Sequence, residues 1–261
     1  GDGGSATGAT ATHPYTAAGT YVVTLTVTDD KGATNVAASS VTVATTPGGG
    51  DPQPQPLADD SFDRSVSGGW GQATVGGSWK VSGGSASVAS VAAGVGRLSL
   101  PAGSTRYVTL DETPLSDGTV TTQFTMSPAA ATGASYIGVV ARQTSADRYM
   151  VRAWMRADGT VWLVASRGAT VLGSQPLSGV TAVPDTSYSL TVSVTGGTTP
   201  SLSAKLWATG AAEPANWQLV AADGSGSPLS AGAFGVVAYR VSSATAPLAV
   251  AFDSFRVASA Q

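Results

Sequence analysis

The sequence predicts an all-β protein built from antiparallel two-sheet sandwiches. Val and Thr alternate along many short segments, and Gly-rich turns separate these segments at intervals of roughly ten residues. No long amphipathic helical pattern interrupts them. Because 261 residues exceed one average domain, we expect two modules and a linker.

Composition excludes several classes of protein and site. A net charge of -3 argues against a sequence-independent nucleic-acid binder, which needs a broad basic surface. The chain has no cysteine and a single histidine, so disulfides, thiolate metal sites and histidine-dependent triads are not expected. No apolar run approaches the ~20 residues that span a bilayer, so we expect no membrane insertion. We also expect a monomer.

The first predicted module covers residues 1–44. Two strands are expected, over 19–28 and 34–43, joined by a turn at 29–32. Alternation places Tyr21, Val23, Leu25 and Val27 on one face, which we expect to be buried against a second sheet.

This module contains four short motifs: Gly1-Asp2-Gly3, His13-Pro14-Tyr15, Gly19-Thr20-Tyr21 and Leu25-Thr26-Val27-Thr28-Asp29. Together they resemble the second half of a polycystic kidney disease (PKD) repeat. The resemblance implies a truncated immunoglobulin-like sandwich that serves as a spacer in a secreted or cell-surface bacterial protein. A start on Gly1 without an initiator methionine indicates a piece of something longer, and His13 is expected to fasten a loop.

Residues 45–57 form the predicted linker. Three glycines are followed by alternating prolines, which favours a flexible segment and then a stiffer polyproline II spacer. The linker should keep the two modules apart.

The second predicted module covers residues 58–261 and is long enough to bury about 70% of its unfolded surface in one sandwich. It opens with Asp59-Asp60-Ser61-Phe62, closes with Phe252-Asp253-Ser254-Phe255-Arg256-Val257, and has two similar runs between them, at 136–142 and 235–240. Together these motifs resemble a concanavalin A-like or laminin G-like jelly roll. The resemblance implies adjacent first and last strands, and a structural calcium held by Asp253 with Asp60. The alternative is that Asp253 caps a bulge or pairs with Arg256.

The most informative stretch is the hairpin predicted over 148–167. With Asp158-Gly159 as a two-residue type I′ turn, Met155 pairs with Trp162 and Trp154 with Leu163. One face, taken as core, then carries Tyr149, Val151, Ala153, Met155, Trp162 and Val164, and the other carries Arg148, Arg152, Trp154, Arg156 and Arg167.

The second face is the predicted binding surface. A Trp ring offers an apolar face to a sugar, and guanidinium groups donate paired hydrogen bonds. The candidate ligand-binding residues are Trp154, Arg152, Arg156, Arg142 and Arg240, the last two because both end a Gly-Val-Val-Ala run. The alternative is a solvated sheet face with Trp154 covered by arginine.

Catalysis is not expected. Glycosidases of this fold need two nearby carboxylates, and the only glutamates, Glu112 and Glu213, are unpaired in the sequence. Lyases of a similar fold can use tyrosine and arginine side chains on anionic polysaccharides, so Tyr149, Arg152 and Arg142 are the candidates for that activity. The sequence therefore predicts a non-catalytic region of a larger secreted polysaccharide-active protein, in which this region binds carbohydrate and acts as a spacer. The alternatives are a structural or adhesive module that binds protein or cell wall, and, less favoured, a polysaccharide lyase or glycosidase.

Overall fold

The computed structural model describes residues 3–8, 10, 12, 13, 15, 19–43, 55–127 and 132–260. The chain divides into two compact units, Gly1–Gln53 and Pro54–Gln261. The described residues are almost entirely strands and turns, as predicted. Most of the predicted linker, residues 45–54, lies outside the described residues. Within the part of the chain that the structure describes, no helix is long and apolar enough to cross a bilayer.

The described part of the first unit contains an antiparallel hairpin of β1 (Gly19–Thr28) and β2 (Thr34–Val43), with the bounds that the sequence predicted. Asp29 stabilises the turn, because its Oδ1 accepts the backbone N–H of Lys31 at 2.9 Å and of Ala33 at 2.8 Å. The predicted burial of one face is wrong for the described residues: Leu25 is 60% exposed and Val27 is 56% exposed. Within the described residues of this unit, the two-stranded sheet is not covered by a second layer.

The second unit is a sandwich of two antiparallel sheets. Its described strands are β3 (Ala58–Asp60), β4 (Val66–Ser67), β5 (Trp79–Ser82), β6 (Ala89–Ala92), β7 (Val95–Leu100), β8 (Thr105–Leu115), β9 (Gly118–Ser127), β10 (Ser135–Gln143), β11 (Tyr149–Met155), β12 (Thr160–Arg167), β13 (Thr170–Thr181), β14 (Tyr188–Thr195), β15 (Ser201–Ala208), β16 (Leu219–Ala222), β17 (Gly232–Arg240) and β18 (Leu248–Ala258). A short 3-10 turn, Ala86–Val88, precedes β6.

The seven-stranded sheet has the order β13-β12-β11-β10-β17-β8-β5. The nine-stranded sheet has the order β16-β15-β14-β9-β18-β7-β6-β4, with β3 paired to β18. The first and last strands of the unit are therefore adjacent, as the resemblance implied, and Asp60 lies opposite Phe255.

The core lies between the inner faces of the two sheets. An aromatic cluster fills one end, where the Trp70 ring lies 5.1 Å from Phe62, 5.3 Å from Trp79 and 5.6 Å from Phe252. The backbone of Gly96 lies against this cluster, and a Cβ on that residue would come within 2.9 Å of the Phe62 and Trp70 rings. Such packing fixes the sandwich and leaves the outer face of the seven-stranded sheet to carry other groups.

Candidate functional site: an aromatic cleft on the seven-stranded sheet

The hairpin of β11 and β12 turns through three residues, Ala157 to Gly159, and not through two. The N–H of Arg156 donates to the carbonyl of Thr160 at 3.0 Å, and Gly159 has a φ of 82°. This pattern fits a type I turn followed by a bulge glycine, which shifts the register by one residue. Trp154 therefore pairs with Trp162, and the predicted pairing with Leu163 is wrong.

The shifted register changes which β12 side chains face outwards. Leu163 and Ala165 are buried in the core, whereas Trp162 and Val164 share the outer face with Trp154, so their predicted core position is wrong. Arg167 also differs from the prediction. It lies opposite Tyr149, and its guanidinium donates a hydrogen bond to the buried carboxylate of Asp223.

Four aromatic side chains form a row across the outer face of the sheet. They occupy paired positions on neighbouring strands, in the order Trp162, Trp154, Tyr136 and Tyr239. Successive ring centroids are 6.3, 5.4 and 5.9 Å apart. Cross-strand aromatic contacts at these distances are favourable, so the row is part of the folded framework.

Beside the aromatic row, the sheet has a glycine where a side chain would otherwise stand. Gly138 lies between Arg152 and Val237 on the paired strands, and a Cβ on it would meet backbone atoms of Val151 and Arg152. The neighbouring cleft has a volume of about 360 Å³. Its lining consists of Tyr136, Arg152, Trp154, Val164, Val171, Ser174 and Tyr239.

Arg152 is the cation of this cleft. Its guanidinium carbon lies 5.2 Å from the Tyr136 ring centroid, and one terminal nitrogen donates to the Ser166 hydroxyl at 3.2 Å. Burial lowers the pKa of Arg152, and the neighbouring Tyr136 and Tyr107 act in the opposite direction. Among the described residues, no carboxylate pairs with it.

Two buried N–H donors of the site have no hydrogen-bond partner among the described residues. They are Nε of Arg152 and Nε1 of Trp154, two residues apart on the same face of β11. Leaving a buried donor unpaired costs about 1 to 3 kcal/mol. The side chains that carry these donors line the cleft, so a ligand with hydrogen-bond acceptors would satisfy them once the side chains rotate towards it.

Trp154 is less open than the sequence suggested. The Tyr136 ring stacks on it at an interplanar angle of 8°, and the guanidinium of Arg156 lies 5.0 Å from its centroid. Arg156 also pairs with Asp158 at 3.4 Å. The aromatic platform is thus shared among several rings, with Arg156 at its margin.

Arg142 does not belong to this face, contrary to the prediction. It lies within a bulge between Val140 and Gln143, has a φ of 47°, and is completely buried. Its guanidinium donates to the carbonyls of Ser116, Leu229 and Gly196 and to the carboxylate of Asp117.

Arg240 is also completely buried, contrary to the prediction. It donates to the carbonyls of Ala246 and Gly133 and to the hydroxyls of Ser135 and Thr132. Both arginines therefore fasten loops and present no free donor to the cleft.

The residues considered for a lyase are not brought together. Tyr149 faces inwards, where its hydroxyl donates to Asp223 at 2.6 Å and accepts the N–H of Leu229 at 3.1 Å. Arg152 faces outwards on the same strand. The two tyrosines that do line the cleft are Tyr136 and Tyr239, and burial is the largest influence that raises the pKa of Tyr136.

The environment of Asp60 does not fit a calcium ligand. Its Oδ1 accepts from Phe62 N–H at 2.9 Å and Arg64 at 2.7 Å, and its Oδ2 accepts from Arg64 at 2.7 Å and Trp79 Nε1 at 2.6 Å. Calcium requires six to eight oxygen ligands, yet four N–H groups already occupy this carboxylate.

Asp253 is exposed at a bulge of β18, and the partner of Arg256 is Asp59, at 4.0 Å. The described residues contain no group of three His, Cys, Asp or Glu arranged to hold a metal ion. The calcium prediction therefore gains no support from the donor groups around Asp60.

Comparisons with known proteins agree with this architecture. Residues 1–44 match the PKD domain. A search of curated proteins found no match to the chain. The alginate lyase Aly36B is similar in structure at 11% identity and a TM-score of 0.53, with 78% of this chain and 97% of that chain covered.

Two glucanases show the same fold. The Bacillus licheniformis β-glucanase has 10% identity and a TM-score of 0.52, with coverage of 77% of this chain and 97% of that chain. SCLam, a non-specific endo-β-1,3(4)-glucanase from family GH16, has 10% identity and a TM-score of 0.52, with coverage of 79% and 91%. At these identities the likeness shows the jelly-roll fold alone.

Sequence reasoning missed Tyr136 and Tyr239 as members of the site. Both flank a Gly-Val-Val-Ala run: Tyr136 lies two positions before Gly138, and Tyr239 lies four positions after Gly235. Even spacing from those glycines places both on the face of the glycines. This even spacing could have indicated from the sequence that both tyrosines lie on the same face as the glycines.

Proposed function

We propose that the jelly-roll unit binds carbohydrate without cleaving it, through the aromatic cleft. The observation that carries this proposal is the row of four outward-facing aromatic rings beside a 360 Å³ cleft. Two of the lining side chains, Arg152 and Trp154, also carry buried N–H donors without a partner among the described residues. Aromatic side chains supply apolar contact area for the C–H groups of a sugar, and the donors match its oxygens.

The composition of the cleft supports a non-catalytic role. Glycosidases use two carboxylates that lie roughly 5 to 9 Å apart, and none of the described residues that line the cleft is a carboxylate. A lyase base would need a readily ionised group, whereas the pKa of Tyr136 is raised. These features favour binding over bond cleavage.

The two units together suggest the setting of this activity. We propose a secreted or cell-surface location, with the PKD-like unit as spacer and the jelly roll as the binding unit of a polysaccharide-active protein. The jelly roll would act as a monomer, because the cleft is completed by strands of one chain.

Affinity electrophoresis of the full chain in gels that contain different polysaccharides tests the proposal. We expect retardation by at least one glycan, and its loss in Trp154→Ala and Tyr239→Ala. Trp217→Ala is the matched control, because Trp217 is 41% exposed and lies outside the cleft. Folding of each variant is checked by its melting temperature.

Unchanged retardation of a folded Trp154→Ala protein would remove the cleft from the proposal. A folded wild-type chain that no glycan retards would instead favour the adhesive alternative, in which the same face contacts protein.

A further inference from the structure

We propose that the cleft recognises the acidic group of a charged sugar, a carboxylate or a sulfate ester, with Arg152 and Trp154 as its donors. This inference rests on the proposed carbohydrate binding and deepens it, because it names the class of glycan.

The argument starts from the charge of Arg152. The two completely buried arginines, Arg142 and Arg240, each donate hydrogen bonds to four acceptors. Arg152 has one, the neutral Ser166 hydroxyl. A partly buried cation with so few acceptors is incompletely solvated, and an anion is the partner that compensates it best.

Two described carboxylates near this face have partners of their own. Asp111 pairs with Lys80 at 2.9 Å, and Asp158 pairs with Arg156 at 3.4 Å. Neither lines the cleft. The charge of Arg152 is therefore available to a ligand.

The two unpaired donors define where the acidic group would bind. Nε of Arg152 and Nε1 of Trp154 belong to side chains that line the same cleft and leave the same face of β11. Both atoms are buried in the ligand-free structure, so the two side chains would rotate towards the acidic group as it binds. A carboxylate or sulfate offers two or more acceptor oxygens and can engage both. Val164 and Val171 form part of the wall, and such apolar surroundings strengthen a charge-assisted hydrogen bond.

A neutral sugar fits less well. Its hydroxyl groups could pair with the N–H donors, but they would leave the positive charge uncompensated. Neutral and acidic forms of the same polymer therefore separate this inference from the broader proposal.

The test uses the full chain and two matched pairs of polymers: polygalacturonate with its fully methyl-esterified form, and dextran sulfate with dextran. We expect affinity electrophoresis and calorimetry to show at least tenfold tighter binding to one acidic member than to its neutral counterpart. Preference for polygalacturonate assigns a carboxylate, and preference for dextran sulfate assigns a sulfate ester. Affinity should fall as salt is raised from 50 to 500 mM, because charge contributes to it.

Variants test the assignment to residues. Arg152→Gln should lose tenfold or more of the affinity for the acidic polymer, and Trp154→Phe, which keeps a ring but removes the N–H, should lose severalfold. Arg97→Gln and Trp217→Phe are the controls. Arg97 lies on β7 and Trp217 lies between β15 and β16, and both residues are exposed and lie outside the cleft.

Equal affinity for acidic and neutral polymers, or a folded Arg152→Gln protein with wild-type affinity, would overturn the inference and leave carbohydrate binding in place. Absence of binding to all four polymers and to a panel of neutral glycans would overturn both.

Discussion

The rings of Tyr136 and Trp154 stack at a centroid distance of 5.4 Å from directly paired positions on β10 and β11. Their separation is set by the strand spacing of the sheet, so the stack forms as the sheet forms. The fold thus orders the centre of the candidate site before any ligand arrives, which reduces the entropy lost on binding.

The stacked pair should contribute measurably to stability. In a double-mutant cycle of Tyr136→Leu and Trp154→Leu, we expect a coupling free energy of about 0.5 to 1.5 kcal/mol, because each variant removes the same contact. Urea unfolding of the four proteins measures it. The control cycle pairs Trp154→Leu with Trp217→Leu, which should be additive. A coupling no larger than that of the control would show that the stack is incidental.

The β-hairpin shows where sequence reasoning reached its limit. Asp158-Gly159 correctly indicated a tight turn, but a glycine with positive φ serves both a two-residue type I′ loop and a three-residue loop with a bulge. One residue of loop length decides which β12 side chains are buried. The fold class and both PKD-like strands depended on alternation within a strand, so they were predicted correctly.

The two buried arginines illustrate a different limit. Arg142 is four residues after Gly138, whereas Arg240 is five residues after Gly235, so strict alternation places only Arg142 on the face of the glycines. Arg240 could therefore have been assigned inwards from the sequence. A bulge turns Arg142 inwards, and its guanidinium then donates to carbonyls of loops that are distant in sequence, at Ser116, Gly196 and Leu229, so alternation within the strand does not indicate its position.

Gly159 should be intolerant of a side chain. Its φ of 82° is unfavourable for most other residues, alanine included, although a Cβ there would meet no atom within 4 Å. We expect Gly159→Ala to lower the free energy of unfolding by about 1 kcal/mol through backbone strain alone. Gly197→Ala is the control, because that site is equally open and lacks a positive φ. Equal stabilities of the two variants in urea unfolding would contradict the positive φ of Gly159.

Asp60 should be among the most important polar residues for stability. It is 1% exposed, and its oxygens accept from Arg64, Trp79 and the N–H of Phe62. Asp60→Asn puts an amide N–H₂ against these donors and removes the buried charge partner, so we expect a loss of about 3 kcal/mol. Asp59→Asn, whose ion pair with Arg256 is long and partly exposed, should change stability by less than about 1 kcal/mol. A mild Asp60→Asn phenotype in chemical unfolding would argue against this network.

Chelation should not destabilise the jelly roll. The Asp60 carboxylate is already occupied by N–H donors, so the melting temperature is expected to be the same in EGTA and in millimolar calcium. A rise of several degrees with calcium, reversed by EGTA, would show a site that the donors around Asp60 do not provide. Repeating the measurement with Asp253→Asn would show whether the exposed carboxylate at the bulge is part of it.

Asp223 should make the protein sensitive to acid over a defined range. Burial alone would raise its pKa, but hydrogen bonds from Tyr149 and Ser225 and the charge of Arg167 lower it to about 2, from an ordinary value of 3.8. A carboxyl whose pKa is lower in the folded protein stabilises the fold above its unfolded pKa. This stabilisation is lost as the pH falls through the folded pKa.

The contribution of Asp223 is therefore present above about pH 4 and disappears towards pH 2. A shift of this size corresponds to about 2 kcal/mol. Asp223→Asn should be less stable than the wild type at pH 6, and the difference should shrink between pH 4 and pH 2. Tyr149→Phe, which removes one donor, should give an intermediate profile. Urea unfolding at each pH measures the difference, and a gap between wild type and Asp223→Asn that stays constant down to pH 2 would show that the carboxylate is not held in this way.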